Sequence, residues 1–445
     1  MLSVSDAEAT ILQLVQPLDS FINTEVIDLF AANGRILASP VTSQLDFPHW
    51  DNSAMDGYAV RYEDVRNCNA EKPVVLEIIE EIPAGVQPKS IVQSGKAARI
   101  LTGAVMPVGA DTVVMQERTR REENQVFIFA TPKPKEFVRQ QASYYKAGSQ
   151  LLPTGIVLNA QEIAVLAAVQ CTKLKVFRRP RVAILSTGDE LVTPETPLQA
   201  GQIVDSNQYA IAALVQQMGA EPIMLGIVRD EPTALEKAIA HALTQADIII
   251  SSGGVSVGDY DYVEQILESL GGKIHIRSVA MKPGKPLTVA IFPPSSPSQS
   301  RQSAQGGEPP HAAGSPIPNP HCPLSPEGAP SSPIYFGLPG NPAAVLVTFW
   351  RFVQPAIKKL SGIAEGWEPK FIKARASQEL RSDGKRETYI WGQMRLSDGI
   401  YHFYPASGVQ NSGNLINLAQ TNSLAVLPVR QTLVARGEEV QVLIQ

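Results

Sequence analysis

What most constrains the fold of this chain is the alternation of apolar runs and helix-periodic segments from Ala183 to Gly272. "AILSTGDEL" is an apolar run ending in a Thr-Gly-Asp-Glu turn, and "NQYAIAALVQQMGA" has helical spacing with a glycine stop. "EPIMLGIVRDEP" reads as a strand and "TALEKAIAHALTQA" as a helix. "DIIISSGG" is then a strand, and "DYVEQILESLGG" a helix closed by glycines. Such alternation predicts a mostly parallel sheet covered by helices on both faces, a doubly wound α/β domain. Ligands on such sheets bind outside the carboxyl ends of the strands, where the polar turns just named sit.

At 445 residues the chain is too long for one core, and its 44% apolar and 18% charged residues suit folded soluble domains. A formal charge of −5 argues against a general nucleic-acid binder, which needs a basic surface. No apolar run reaches membrane-spanning length, and the start, "MLSVSDAEATILQLVQPLDS", reads as an amphipathic helix rather than a signal peptide. Cys68, Cys171 and Cys322 are far apart and odd in number, which fits a reducing cytoplasm.

The flanks differ from this α/β core. From Val41 to about Val138, short β-rich pieces such as "PVVLEIIEEI", "DTVVMQE" and "NQVFIF" alternate with Gly/Pro turns and predict a small β domain. "NAQEIAVLAAVQ" reads as a helix leading into the core, and the stretch from about Glu368 reads as a C-terminal β-barrel or sandwich. Between the strand-like "PLTVAIF" and "PIYFGLPG", residues Pro293 to Pro333 hold 12 of the 35 prolines and almost no large apolar side chains. That composition predicts a disordered insertion, at small cost in loop-closure entropy.

The loop "ISSGGVSVGDYDYV" carries the first chemical signal. It matches neither the P-loop nor the dinucleotide fingerprint. Its glycines (Gly253, Gly254, Gly258) let backbone N–H groups approach an anion, Ser251, Ser252 and Ser256 offer hydroxyls, and a helix start follows. A plain strand-to-helix turn is the alternative for this stretch alone. Asp259 and Asp261 change the balance, because carboxylates beside a phosphate call for a divalent cation between them. Thr187, Gly188, Asp189 and Glu190, and then Asp230, end other strands of the same sheet, so a Mg²⁺–phosphate site is indicated. "MKPGKP" brackets a Pro-Gly turn with Lys282 and Lys285, ahead of Pro286, and suits a small oxyanion. "GLPGNPAA" opens a helix in which Pro339, Gly340 and Asn341 supply backbone access and a cap.

"DNSAMDGYAVR", "RILTGAVMPVGADTVVMQE", "ILSTGDEL", "ISSGGVSVGDYDYV", "MKPGKP" and "GLPGNPAA" occur in the order found in MoeA-type molybdopterin molybdenumtransferases, the family that includes the gephyrin E domain. The chain resembles that family over nearly its whole length outside the Pro-rich insertion. The resemblance implies Mg²⁺-dependent insertion of molybdate into adenylated molybdopterin, giving molybdenum cofactor and AMP. It also implies a cytoplasmic homodimer whose active site lies between the α/β domain of one subunit and the "MDGYA" domain of the other. A molybdopterin adenylyltransferase is the candidate partner, with no nucleic acid or membrane involved. The implied fold is a central MogA-like α/β domain over 178–363, with the insertion at 293–333. Around it lie a helical/linker domain (1–45 with 138–177), a small β domain (46–137) and a C-terminal β-barrel (364–445).

By motif, Asp56, Thr102, Glu190, Asp230 and Asp261 match functional positions, with Asp56, Asp230 and Asp261 assigned to Mg²⁺. Lys282, Lys285 and Pro286 match the molybdate pocket, joined by Ser412 of "VQNSGN". Three positions depart from the family pattern: Tyr144 replaces an aspartate, Ser278 a basic residue with Arg277 beside it, and Trp391 an arginine, while Arg386 is retained. Two other readings follow from the same resemblance, adenylylation of molybdopterin and a non-catalytic scaffold. The extra β domains argue against the first.

Overall fold

The computed structural model of the chain describes residues 1–253, 260–294, 332–406 and 415–444. It divides into two compact units, one of residues 1–39, 154–163 and 173–445, the other of residues 40–153 and 164–172.

The first unit is organised by a six-stranded sheet. In spatial order its strands are Glu221–Val228, Arg181–Thr187, Ile248–Ser252, Ile334–Leu338, Pro286–Ile291 and Lys273–Ser278. The first four run parallel, and the last two form an antiparallel extension. Strand alternation divides the core in two. Val182, Ile184, Ile248 and Ile250 face helix Asn207–Gln217 through Ile211, Leu214 and Val215. Ala183, Leu185 and Ile249 face helices Pro232–Leu243 and Tyr260–Ser269 through Leu235, Ile239, Val263 and Leu267. A strand apolar on both faces has no solvent side, which explains the unbroken "DIII" run. At the amino-terminal edge, Arg178 donates two hydrogen bonds, 2.7 and 2.8 Å, to the buried Asp247 carboxylate, which also accepts the Arg181 N–H at 2.8 Å.

Helix Val4–Leu14 begins where the Ser3 hydroxyl accepts the Asp6 N–H at 3.0 Å, and its Val4, Ala7 and Ile11 join the first core face. The carboxyl-terminal strands close a five-stranded barrel: Glu387–Ser397, Ile400–Pro405, Lys370–Ala376, Glu439–Ile444, Ser423–Leu427 and back to Glu387–Ser397. Closure leaves no unpaired edge among these strands. Met281–Lys282 pairs parallel with Glu387–Thr388 and so ties the α/β sheet to the barrel.

The second unit holds a six-stranded sheet in the order Thr112–Met115, Gly57–Val60, Lys96–Ile100, Val74–Ile82, Gln125–Ile128, Thr119–Glu122. Tyr58, Val60, Leu76, Val114 and Val126 form one of its cores, and Ala59, Ile82, Ile100 and Val113 another. Cys68 is a buried thiol outside any disulfide, and among the described residues no helix is long and apolar enough to cross a membrane.

Strands Pro286–Ile291 and Ile334–Leu338 pair antiparallel, with Ile291 opposite Ile334 and the Phe292 N–H donating to the Pro333 carbonyl at 2.9 Å. The Pro-rich insertion thus leaves and returns at one hairpin end, although its residues 295–331 lie outside the described residues. Replacing 295–331 with a short Gly-Ser linker is expected to shift the Tm by no more than about 4 °C, because closure entropy changes slowly with length. A calorimetric scan measures this, and a larger fall would show that the segment supports the fold.

Candidate functional site

The strand that comes first in the chain, Arg181–Thr187, lies between the second and the third. The chain therefore winds outward in both directions from the gap between Arg181–Thr187 and Ile248–Ser252. In a parallel sheet such a switch point opens a crevice at the carboxyl ends, where neighbouring loops part.

The carboxyl ends of three adjacent strands meet there. The buried Ser186 and Ser252 hydroxyls are 2.9 Å apart. Gly253, at φ +92°, passes so close to the strand beside it that a Cβ would lie 2.3 Å from the Thr187 carbonyl oxygen. Only glycine fits that position, both in backbone angle and in space. A Cβ on Gly340 would lie 3.4 Å from the Gly253 Cα, and the Gly340 carbonyl accepts the Asn207 amide at 2.9 Å. Thr187 is buried, and its hydroxyl has no hydrogen-bond partner among the described residues. A buried hydroxyl without a partner is costly unless a ligand completes it.

Carboxylates rim the crevice. The Glu190 carboxylate folds back over Gly188, and its oxygens would lie 2.7 and 2.8 Å from a Cβ there. Asp189 Oδ1 accepts the Asp230 N–H at 3.2 Å, and Asp230 in turn accepts a hydrogen bond from the Tyr262 hydroxyl. Asp189 and Asp230 thus come together from adjacent strand ends. Mg²⁺ takes one or two carboxylates plus phosphate oxygens, so this exposed donor pair fits such an ion. Among the described residues no group of three or more metal-binding side chains occurs. Gly254, Ser256, Gly258 and the side chain of Asp261 lie outside the described residues, as does Ser412.

Pro339, Gly340 and Asn341 lead into helix Pro342–Thr348, whose start Asn341 caps by accepting the Ala344 N–H at 3.2 Å. The two lysines of "MKPGKP" do not share a partner. The Lys282 ammonium donates to Asp383 at 3.2 Å, whereas exposed Lys285 makes no ion pair among the described residues. The Asp383 carboxyl is held below its usual range, first by the Lys385 N–H and then by Lys282. Arg386 approaches the same carboxylate at 3.8 Å. Pro286 starts the strand opposite Ser278.

In the second unit, Asp56 and Thr102 are partners. Asp56 Oδ1 accepts both the Thr102 hydroxyl and its backbone N–H at 2.7 Å. These bonds, the hydroxyl first, hold the Asp56 carboxyl below its usual range.

At two of the departures from the family pattern, neighbouring groups are already engaged. Arg277, beside Ser278, donates to Glu264 at 2.8 Å and lies 3.6 Å from Glu268, so its charge is spent on helix Tyr260–Ser269. Trp391 packs edge-on against Trp350, with ring centroids 5.1 Å apart. Tyr144 is 61% exposed and lies against Phe47.

Sequence reading passed over Asp205 and Asn207. Buried Asp205 accepts the Asn207 and Gln208 N–H groups at 3.0 and 3.3 Å, which sets Asn207 toward Gly340. The Asp-Ser-Asn run just before a helical segment was the available signal.

Family models match along the chain: the MoeA N-terminal region (domain I and II) at residues 2–169, a probable molybdopterin binding domain at 183–359, and the MoeA C-terminal region (domain IV) at 373–444. A molybdopterin molybdenumtransferase of Nostoc sp. is 64% identical over 443 residues, covering 100% of this chain and 94% of that protein. The chain belongs to the MoeA family of molybdopterin molybdenumtransferases. The family's enzyme of that name from Haemophilus influenzae is 32% identical, with 99% and 98% coverage. The crystal structure of the molybdopterin biosynthesis MoeA protein from Pyrococcus horikoshii OT3 superposes with a TM-score of 0.77 at 26% identity, covering 100% of both chains. This places the chain among transferases of molybdenum cofactor biosynthesis, with a MogA-like α/β domain and a C-terminal barrel.

Replacing Thr102 by Val removes the hydroxyl that contributes most to the Asp56 shift. A depressed folded pKa stabilises the fold above the unfolded value, and that contribution is lost as pH falls through the folded value. In Thr102→Val the Asp56 titration is expected to move upward, which ¹³C NMR of the carboxyl group reads directly. An unchanged midpoint would remove Thr102 as the cause.

Proposed function

We propose that this protein inserts molybdate into adenylated molybdopterin with Mg²⁺ present, yielding molybdenum cofactor and AMP, and that it does so as a cytoplasmic homodimer. The observation that carries the reading is the crevice at Thr187, Gly253 and Gly340, with an unpartnered buried hydroxyl inside and the Asp189–Asp230 pair at its rim. Such a site suits a phosphate whose charge a divalent cation shares.

In this reading the Thr187 hydroxyl and the Gly253 N–H donate to phosphate oxygens of the adenylyl group. Asn207 holds the Gly340 segment in place, so that backbone groups approach the ligand without rearrangement. Asp56, Asp230 and Asp261 are the carboxylates assigned to the cation, and Asp189 lies beside Asp230. Mg²⁺, when bound, supplies charge neutralisation at the phosphoanhydride. Glu190 and Thr102 position the ligand and Asp56, respectively.

Molybdate is a dianion, and Lys282 and Lys285 with Ser412 are assigned to it. Lys282 donates to Asp383, so molybdate binding there would exchange one anionic partner for another. No protein nucleophile takes part: water supplies the oxygen that attacks the anhydride phosphorus, the P–O–P bond breaks, and AMP is one of the two phosphates released.

The test uses purified protein, adenylated molybdopterin, Mg²⁺ and molybdate, with AMP and cofactor measured. Molybdate-dependent release of AMP is expected. Lys282→Ala is expected to raise the KM for molybdate by about tenfold to a hundredfold, the usual weight of a charged hydrogen bond. AMP release that ignores molybdate would sink the reading.

A further inference from the structure

A cleft in the second unit is not used by any step above. Its volume is about 350 Å³, within the range of small-molecule sites. Phe47, His49, Trp50 and Tyr144 line it with ring faces and edges, and Asn52 and Arg139 supply its polar groups. Trp50 and Tyr144 are 51% and 61% exposed, unusual for large rings with no partner to cover them.

Main-chain pairing fixes this arrangement. The Phe47 N–H donates to the Tyr145 carbonyl at 2.9 Å, and the Tyr144 N–H donates to the Phe47 carbonyl at 3.0 Å. Val138–Arg139 pairs antiparallel with Asn52–Ser53, which sets the arginine beside the asparagine. The rings follow: Phe47 lies 5.8 Å from Tyr144 and 5.6 Å from His49, and His49 lies 5.7 Å from Trp50. The cleft is therefore formed before any ligand arrives, which lowers the ordering cost of binding.

Two polar groups there are unsatisfied. Asn52 is 9% exposed, and its carbonyl oxygen has no hydrogen-bond partner among the described residues, while its amide donates to the Trp50 carbonyl at 3.2 Å. Arg139 is half-buried and has no carboxylate partner among the described residues; nearby Asp51 and Asp46 accept instead from Gln141. Exposed ring faces, an acceptor awaiting an N–H donor and an unpaired guanidinium are together complementary to one kind of molecule. We infer that the cleft binds a planar amino-substituted heteroaromatic ring bearing an anionic group, stacked on Trp50 and Tyr144, with the exocyclic amino N–H on Asn52 and the anion on Arg139.

Purine nucleotides and phosphorylated pterins share this chemistry. Assigning the ring to the adenylated molybdopterin substrate rests on the function proposed above; the cleft's affinity for such a ring does not. Calorimetric titration of the full chain with AMP, and separately with pterin-6-carboxylate, distinguishes the two sources. At least one probe is expected to bind, with a Kd that rises about tenfold or more in Trp50→Ala and in Arg139→Ala, as loss of one stacked ring or one charged contact predicts. Trp50→Phe keeps a ring face and is expected to restore most of the affinity, and Tm values of the variants near that of the parent chain show that folding is intact. In the AMP-release assay the same two alanine variants raise KM for the adenylated substrate more than they lower kcat.

Binding of neither probe, or equal binding by parent and alanine variants, overturns the inference. Probe binding that these variants weaken, in a protein that releases no AMP, upholds the cleft and overturns the proposed function instead.

Discussion

Parallel pairing of Arg181–Thr187 with Ile248–Ser252 sets Ser186 opposite Ser252 and brings Gly253 against the Thr187 carbonyl. The rest of the α/β site depends on that register. A slip of one residue would exchange Val182 and Ile184 with Ala183 and Leu185 between the two helix-covered faces, so the fit of these side chains to their helices holds the crevice in place. Buried Tyr335 reinforces it from the next strand, 2.5 Å from the Ser251 hydroxyl, and burial pushes its own phenol up to about 12. At the far edge of the sheet, the Arg178–Asp247 pair anchors where the same strands begin.

A second constraint joins the sheet to the barrel. Met281–Lys282 pairs in parallel with the start of the longest barrel strand, and the Lys282 ammonium meets Asp383 just before it. The lysine turn is thus held at a seam between two layers of one unit rather than on a free loop. An oxyanion bound there, as proposed, would compete with Asp383 for the Lys282 ammonium.

Much of the α/β domain was legible because helix and strand periodicities alternate without interruption and end in glycine or acidic turns. The same holds for Asn341, whose cap follows from a Pro-Gly-Asn-Pro sequence. What the sequence did not reveal depends on tertiary contact. Nothing local in "LSTGDE" shows that the Thr187 hydroxyl is left unpartnered, and nothing in "IVDSNQ" shows Asn207 reaching the Gly340 carbonyl 133 residues away. The commitment of Lys282 to Asp383 and of Arg277 to Glu264 is likewise a product of the fold, since a lysine or arginine in sequence carries no record of its partner. The family resemblance supplied the ligand proposed for the crevice, which no residue pattern there specifies alone.

The most direct test is a crystal structure of the protein grown with AMP, Mg²⁺ and molybdate. The account predicts phosphate density within hydrogen-bond distance of the Thr187 hydroxyl and the Gly253 N–H. A phosphate bound elsewhere, with Thr187 still unpartnered, would contradict it.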